Sequence, residues 1–456
     1  MKRGNSAKKR LRRYLATASC LFLLTAQQAG AETLKEAAQF MIETHPDIRT
    51  VAHNRLGRDQ ERVQARSLYW PKIDANAGFG VADYRKPYDS NFGAEEYTIS
   101  GRLNVFNGLG SLHEVKRQEA RINSAAYQLQ SDAANLTLRA AEVYCDMLRH
   151  TALLELAREN LLIHERIADQ IALRSESGVS SMADVDQVQA RLALARTNVV
   201  TAEANLEDAK SSYFAVIGKM PKDLTKPEIP PNALPASLDE ALAIAEEHHP
   251  TYRSAVADLG ARKMQYEVAK SPFLPLVDVE VDKRWNNNSG YDPLWEDSLI
   301  AMVRVRYNLF HGWKDEARRQ ETFEQINEAR EISKHTRRQV VEGLRLSWMA
   351  HQAVMDGITY QRQRVEAISR TSEAFSKQWS IGQRTLFDVL DAAAETIDAK
   401  KSLIHAEYDG LYSGFRILNS MGSIVPALDL QLPEEADPFD EDNDFASAFP
   451  ETVNLE

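Results

Sequence analysis

Two carboxylates, Asp388 and Asp391, stand three residues apart, a spacing that puts both on one face of a helix about one turn from each other. Taken alone, that pair is a solvated acidic face. His248-His249-Pro250 offers two imidazoles, but no carboxylate or cysteine cluster stands at ligand spacing, and the corresponding earlier segment has only His45. Helix capping or plain surface exposure is the reading there, and no metal is expected. No H-E-x-x-H, Walker loop or Gly-rich dinucleotide motif occurs, and Gly108-Leu109-Gly110 reads as a strand-to-helix turn. Nothing positive points to catalysis, so neither catalytic residues nor a cofactor are expected.

The bulk properties narrow the setting. Lys2, Arg3, Lys8, Lys9, Arg10, Arg12 and Arg13 precede an apolar stretch around Leu21–Leu24, and Ala29-Gly30-Ala31 offers small residues for cleavage. That is the layout of a secretory signal peptide over residues 1–31. Acylation of Cys20 is the weaker alternative, because the apolar run lies mostly after it. Losing those seven basic residues takes the net charge from −11 to −18, a poor balance for binding nucleic acid. Cys145 is then the only cysteine, so no intramolecular disulfide is available. No later segment has the ~18 consecutive apolar residues of a spanning helix, which leaves a periplasmic protein or an outer-membrane barrel open.

The chain is written twice. Leu34-Lys35-Glu36-Ala37-Ala38 leads to His45-Pro46, and Leu238-Asp239-Glu240-Ala241-Leu242 leads to His249-Pro250, an offset of 204. Pro71 and Pro275, Asp74 and Asp278, Asn104 and Asn308, Gly178 and Gly382, Asp184 and Asp388, and Gly218 and Gly422 keep that offset. The period exceeds any solenoid repeat, so a domain-sized unit has been duplicated. The first copy covers 32–220, with strands within 72–107 and a helical hairpin over 111–217. A proline-rich linker, 221–236, follows. The second copy covers 237–426, with strands within 276–311 and a hairpin over 313–421.

Each copy carries two alternating segments: 73–81 and 97–105 in the first, 277–282 and 303–309 in the second. Asp278, Glu280, Asp282, Arg304 and Arg306 share the polar face. A soluble sandwich would turn the apolar face to a core, and an outer-membrane barrel would turn it to lipid. Four strands cannot close a barrel, because about eight are needed; three copies would supply twelve. The helical segments are too long for a compact domain: 112–175 alone makes a rod of roughly 95 Å. Val185, Val188, Leu192, Ala195, Val199, Ala202, Leu206, Ala209, Tyr213 and Val216 trace a heptad seam, which implies coiled-coil packing. Gly178 and Gly382 stand where each rod ends and reverses.

This organisation resembles the TolC family of outer-membrane factors over the mature chain to about Pro426. The signal, the tandem copies, the two strands plus long helices per copy, and Gly-x-Arg-Thr-Leu-Phe-Asp-Val-Leu-Asp at 382–391 carry the resemblance. Arg174-Ser175-Glu176-Ser177-Gly178, Ala183-Asp184 with Gln187, and 190–196 look like the branch that serves type I secretion of large repeat-rich adhesins. The resemblance implies a mixed α/β membrane protein. Its homotrimer would share a 12-stranded transmembrane β-barrel, four strands per protomer, continuing into a long α-helical coiled-coil periplasmic tunnel. Implied partners are a periplasmic adaptor, an inner-membrane ABC transporter, the exported protein and outer-membrane lipid.

It also implies roles at the tip. Asp388 and Asp391 match two aspartates that ring the tunnel entrance. Trp379 and Arg384 match residues that hold the entrance shut against Ala183 and Asp184 of the neighbouring hairpin. Ala183 departs from the hydroxyl residue expected there, and Trp379 replaces a tyrosine, so the lock is altered in detail. The turns at Gly178 and Gly382 would meet the adaptor. Residues 427–456, acidic and almost without basic residues, read as a disordered tail. Two other functions stay open: the exit channel of a multidrug or metal efflux pump, and a soluble periplasmic coiled-coil scaffold.

Overall fold

The computed structural model describes residues 31–84, 90–178, 180–287 and 295–439. The expected signal peptide up to residue 30 lies outside the described residues, as does the tail beyond 439. In the first copy α1 (Leu34–Thr44) and α2 (Pro46–Arg66) lead to β1 (Lys72–Tyr84), β2 (Ser90–Asn107), α3 (Gly110–Glu176) and α4 (Met182–Ile217). The second copy repeats them as α5 (Leu238–His248), α6 (Pro250–Lys270), β3 (Leu276–Asn287), β4 (Trp295–Arg306), α7 (Lys314–Ser380) and α8 (Leu386–Ser420). A short α9 (Ile424–Ala427) follows.

Both His-Pro pairs are helix starts. The Nδ1 of His45 accepts from the Asp47 amide and that of His249 from the Thr251 amide, with proline at the first helical position where no amide is needed. Burial pushes the His249 imidazole down to about 4.

The strands form one antiparallel sheet in the order β1-β2-β3-β4. Lys72 pairs with Arg102 and Leu276 with Arg306, so the 204-residue offset holds through both hairpins. One face carries Asp278, Glu280, Arg102, Arg304 and Arg306 in a network of ion pairs; Arg304 Nε donates to Glu280 at 2.7 Å, and Arg306 pairs with Asp278. The other face carries Ile73, Phe79, Val81, Ile99, Val281, Leu299, Val303 and Val305, all exposed. Tyr97, Trp285 and Trp295 mark that face at the hairpin end of the sheet. Trp70, Phe310 and Trp313 lie exposed at the helix end. Aromatic bands flanking an apolar belt are what a sheet needs when it meets lipid outside and water inside. β4 stops at Arg306, short of the expected 309.

α3 and α7 are each 67 residues long, rods of about 100 Å. No helix among the described residues is long and apolar enough to cross a membrane. Their stability comes from lateral packing: α3 against α4, α7 against α8, and α2, α3, α6 and α7 side by side nearest the sheet. Midway along, α1 and α5 with both hairpins bury Met41, Tyr144, Tyr213, Leu344 and Phe415. Glu32, just before α1, is tied into this belt. Its carboxylate accepts from Tyr213 Oη at 3.0 Å and pairs with Lys219, while its carbonyl accepts from Tyr144 Oη at 2.6 Å. The Cys145 thiol is buried, and burial pushes it up to about 12, which leaves it inert.

The expectation of a disordered tail from 427 fails over its first half. Residues 428–439 lie as a strap along α1, α2 and α3. Leu428, Leu430 and Ala436 are buried, Gln130 donates to the Ala436 carbonyl at 2.8 Å, and the Arg62 guanidinium sits 4.2 Å from the centre of the Phe439 ring. The acidic residues face water while spaced apolar ones anchor, a pattern that a charge count does not register.

Gly422 (φ +75°) closes the second copy beside the His249 cap, where an added Cβ would lie 2.8 Å from the His249 Cα. Gly422→Ala is therefore expected to cost well beyond the 1–2 kcal/mol of a left-handed backbone, whereas Gly382→Ala, at φ +77° in open space, stays near that figure. Thermal unfolding of the two variants checks the ranking. The lowered His249 pKa adds a pH effect. Unfolded imidazole binds a proton near 6.5 and the folded one only near 4, so stability falls as pH drops through that window, by on the order of 2–3 kcal/mol. His249→Asn keeps a capping acceptor without the titration. Between pH 7 and 4 the variant is expected to gain on the wild type by that amount, and a constant difference would overturn the assignment.

Candidate functional site

The four rod ends meet at the tip farthest from the sheet. Both hairpins reverse at glycines in the left-handed region, Gly178 at φ +73° and Gly382 at φ +77°. Apart from chain neighbours, neither has an atom within 4 Å of where a Cβ would stand, and both glycines are exposed. Behind the turns, Ala168 and Ile171 of α3, Val188 and Leu192 of α4, and Leu386 and Leu390 of α8 form a small apolar cluster that joins the hairpins.

The aspartates begin the returning helices. At α4, the Ser181 amide and hydroxyl donate to Asp184 Oδ2 at 3.0 and 2.9 Å, and the Asp184 amide donates back to the Ser181 hydroxyl at 3.2 Å. At α8, the Thr385 amide and hydroxyl donate to Asp388 at 3.2 and 2.8 Å, and the Asp388 amide returns a bond at 3.2 Å. These are capping boxes built on aspartate, again 204 residues apart. The Thr385 hydroxyl and amide, with Arg384 nearby, hold the Asp388 carboxyl below the usual carboxylate range. Asp391 lies one turn further on and is exposed. The two carboxylates thus share one stretch of α8, but Asp388 also has a local structural task.

Arg384 and Trp379 have partners other than those expected. Arg384 Nε donates to Gln378 Oε1 at 3.1 Å, its guanidinium sits 4.1 Å from the Phe375 ring centre, and Asp388 is 3.9 Å away. All three lie on its own hairpin. Trp379 packs against the apolar cluster, with the Arg174 guanidinium of the other hairpin 4.3 Å from its ring centre. Among the described residues, no hydrogen bond or ion pair joins Trp379 or Arg384 to Asp184. The cation over the indole is therefore the polar link between the hairpins here. Sequence reading had Arg174 only in the branch signature and missed its contact with Trp379, 205 positions away. The caps had a legible signal, Ser-x-x-Asp and Thr-x-x-Asp before an apolar run.

Among the described residues, no group of His, Cys, Asp and Glu side chains is arranged to hold a metal ion. What the architecture offers is a polar-lined sheet, open at both edges, above rods that end in an acidic tip. A sequence model of the outer membrane efflux protein family matches the chain twice, over residues 37–219 and 241–423. The chain belongs to that family. Outer membrane efflux protein BepC of Brucella suis is 22% identical over 413 residues, covering 88% of each chain. Outer membrane protein TolC of Escherichia coli is 22% identical over 409 residues, covering 86% of this chain and 83% of the relative. The solved structure of the outer membrane protein VceC from Vibrio cholerae superposes with a TM-score of 0.72 at 15% identity, over 85% of this chain and 96% of that one. The protein is thus an outer-membrane channel of the TolC family. The soluble-scaffold reading is set aside.

The tip geometry makes a prediction. A cation over an indole at a partly exposed site is worth about 0.5–1 kcal/mol, so Arg174→Ala and Trp379→Leu should each raise amide exchange at residues 180–190 several-fold. The double variant should add little to either single change. Independent, additive effects would show that the two side chains act separately.

Proposed function

We propose that three copies of this chain form the exit duct of a type I secretion system, passing a large protein across the periplasm and outer membrane. The observation that carries the duct is the sheet itself: four strands with apolar outside, charged inside and two unpaired edges. Three sheets joined edge to edge give the twelve strands of a closed barrel. The six hairpins beneath would continue it as a tunnel, and energy would come from an inner-membrane ABC transporter coupled through a periplasmic adaptor at the turns around Gly178 and Gly382. The protein-export branch rests on the wording at 174–196. The second reading is the outer-membrane channel of a multidrug or metal efflux pump, favoured by the word efflux in the name of the Brucella relative.

At the tip, Asp388 and Asp391 from three copies would stack as two carboxylate rings, a cation-favouring constriction. Trp379, Arg384 and Asp184 are the lock candidates of the resting entrance, with Arg174 added by its contact to Trp379. Purified protein is expected to run at trimer mass and to give long-lived, cation-selective steps in planar bilayers. Asp391→Asn and Asp388→Asn remove charge while leaving an acceptor for the cap. The double variant should lose cation preference and block by multivalent cations; unchanged selectivity would remove the gate assignment. In the native host, deletion should abolish export of one large protein while leaving drug and metal tolerance intact. The reverse pattern would favour the pump.

A further inference from the structure

One cation stands on the apolar face of the sheet. Side chains alternate along a strand, so Val281, Lys283 and Trp285 of β3 point to the same side. The register sets Lys283 between Ile99 of β2 and Leu299 of β4. Among the described strand residues, Lys283 is the sole basic side chain on this face. Asp297, opposite Trp285 on the same side, forms an ion pair with it. The ammonium also lies 5.2 Å from the Trp285 ring centre. Both charged side chains stay accessible, 31% exposed for Lys283 and 51% for Asp297, so each can take a further partner.

Beside this pair the face is hollow. Ala75 and Ala77 of β1 stand opposite Ile99 and Tyr97 of β2, and with Trp285 and Trp295 they line a depression of about 450 Å³. Two alanines in register with large neighbours leave a low floor between aromatic walls. Phe79 meets Tyr97 edge to face, ring centres 5.5 Å apart, on the hairpin side of that floor. Trp285 and Trp295 are the same-face neighbours of Lys283 and Asp297, two residues along each strand, so the ion pair stands at the rim of the depression. An open apolar slot with two opposite charges at its rim has the form of a seat for an amphiphile.

We infer that the slot binds one phospholipid whose headgroup carries both a phosphate and a primary amine, resting on the duct reading above, in which the apolar face meets lipid. An acyl chain lies over Ala75 and Ala77 between the rings. The phosphate accepts from the Lys283 ammonium, which keeps two N–H donors after one goes to Asp297. The amine donates to the Asp297 carboxylate, with the Trp295 ring face beside it. An ionised pair facing hydrocarbon is costly, and a headgroup of matching opposite charges satisfies both members at the level where aromatic rings mark the membrane boundary. The local charge selects the amine. Glu95, two residues before Tyr97 on the same face, sets a second carboxylate against the single ammonium, so a headgroup with phosphate alone meets repulsion.

Native mass spectrometry of the detergent-purified full chain tests the seat. Phosphatidylethanolamine is expected to stay bound at one lipid per copy, with an apparent Kd about ten-fold below that of phosphatidylglycerol with the same chains. Lys283→Gln and Asp297→Asn each remove one headgroup contact and should raise that Kd several-fold. Ala77→Phe fills the slot and should do the same with the ion pair intact. Trimer mass and unchanged unit conductance in planar bilayers check that each variant folds. Glycerophosphoethanolamine, the same headgroup without chains, should not displace the lipid; displacement would make this a site for a soluble phosphate ester and overturn the lipid assignment. Equal retention of the two lipids, or unchanged retention in folded Lys283→Gln and Ala77→Phe trimers, overturns the site and leaves the duct standing. A wild-type chain that is not a trimer and conducts nothing overturns the duct reading on which the site rests.

Discussion

A backbone amide left unpaired in hydrocarbon costs several kcal/mol, and a sheet edge is a row of them. The sheet of this chain has two such edges, at β1 and β4, and an apolar face that rules out leaving them in water without a partner surface. Much else in the molecule answers to that constraint. The strands need neighbours, so the helices that follow them are brought side by side. Those helices are joined to the strands by turns in which Gly108, Leu109, Gly312 and Trp313 all adopt positive φ, fixing the direction of each rod relative to its strand. Leu109 and Trp313 accept that conformation despite carrying side chains, a cost that is repeated at the same place in both copies.

Duplication gives the constraint an economical answer. One pattern of strand pairing, Lys72 with Arg102, recurs in the second hairpin as Leu276 with Arg306, and the two copies meet along α3, which packs against α6 and α8. Inside, serine and threonine hydroxyls meet at close range. At the outer faces, Arg49, Asp47, Glu328 and Glu331 are charged and exposed.

Much of this was legible in the sequence because it is carried by residues with little conformational choice. The glycines at 178, 218, 382 and 422 and the prolines after His45 and His249 mark the ends and starts of helices by backbone geometry alone, so the repeat could be read from them. Alternation in 277–282 gave the strand, but a lipid-facing valine and a core-facing valine look alike in sequence. The open edges and the match to the efflux protein family separate them. At the tip, the aspartates at 184 and 388 read as charges, whereas each spends its carboxylate on a cap. The contact of Arg174 with Trp379 escaped notice because the two lie on different hairpins, and no local spacing links them. The strap was hidden because seven carboxylates in 434–444 outweigh a few apolar anchors in any average, although burial acts residue by residue.

That strap has a consequence for symmetry. It covers the groove where Ile48 and Ala52 of α2 meet Leu129 and Ala133 of α3, and the chain has only one C-terminus with which to do so. Among the described residues no strap covers the equivalent stretch of the second copy: Val256, the counterpart of the covered Ala52, is 45% exposed, although Ser333, the counterpart of Leu129, is buried, and Lys334, Arg337, Arg338 and Arg345 line the surface nearby together with Glu246 and Glu342. A trimer would therefore present two kinds of surface in alternation around its waist, three thatched and three without a strap. A partner gripping that waist would count to three, whatever the repeat below it suggests.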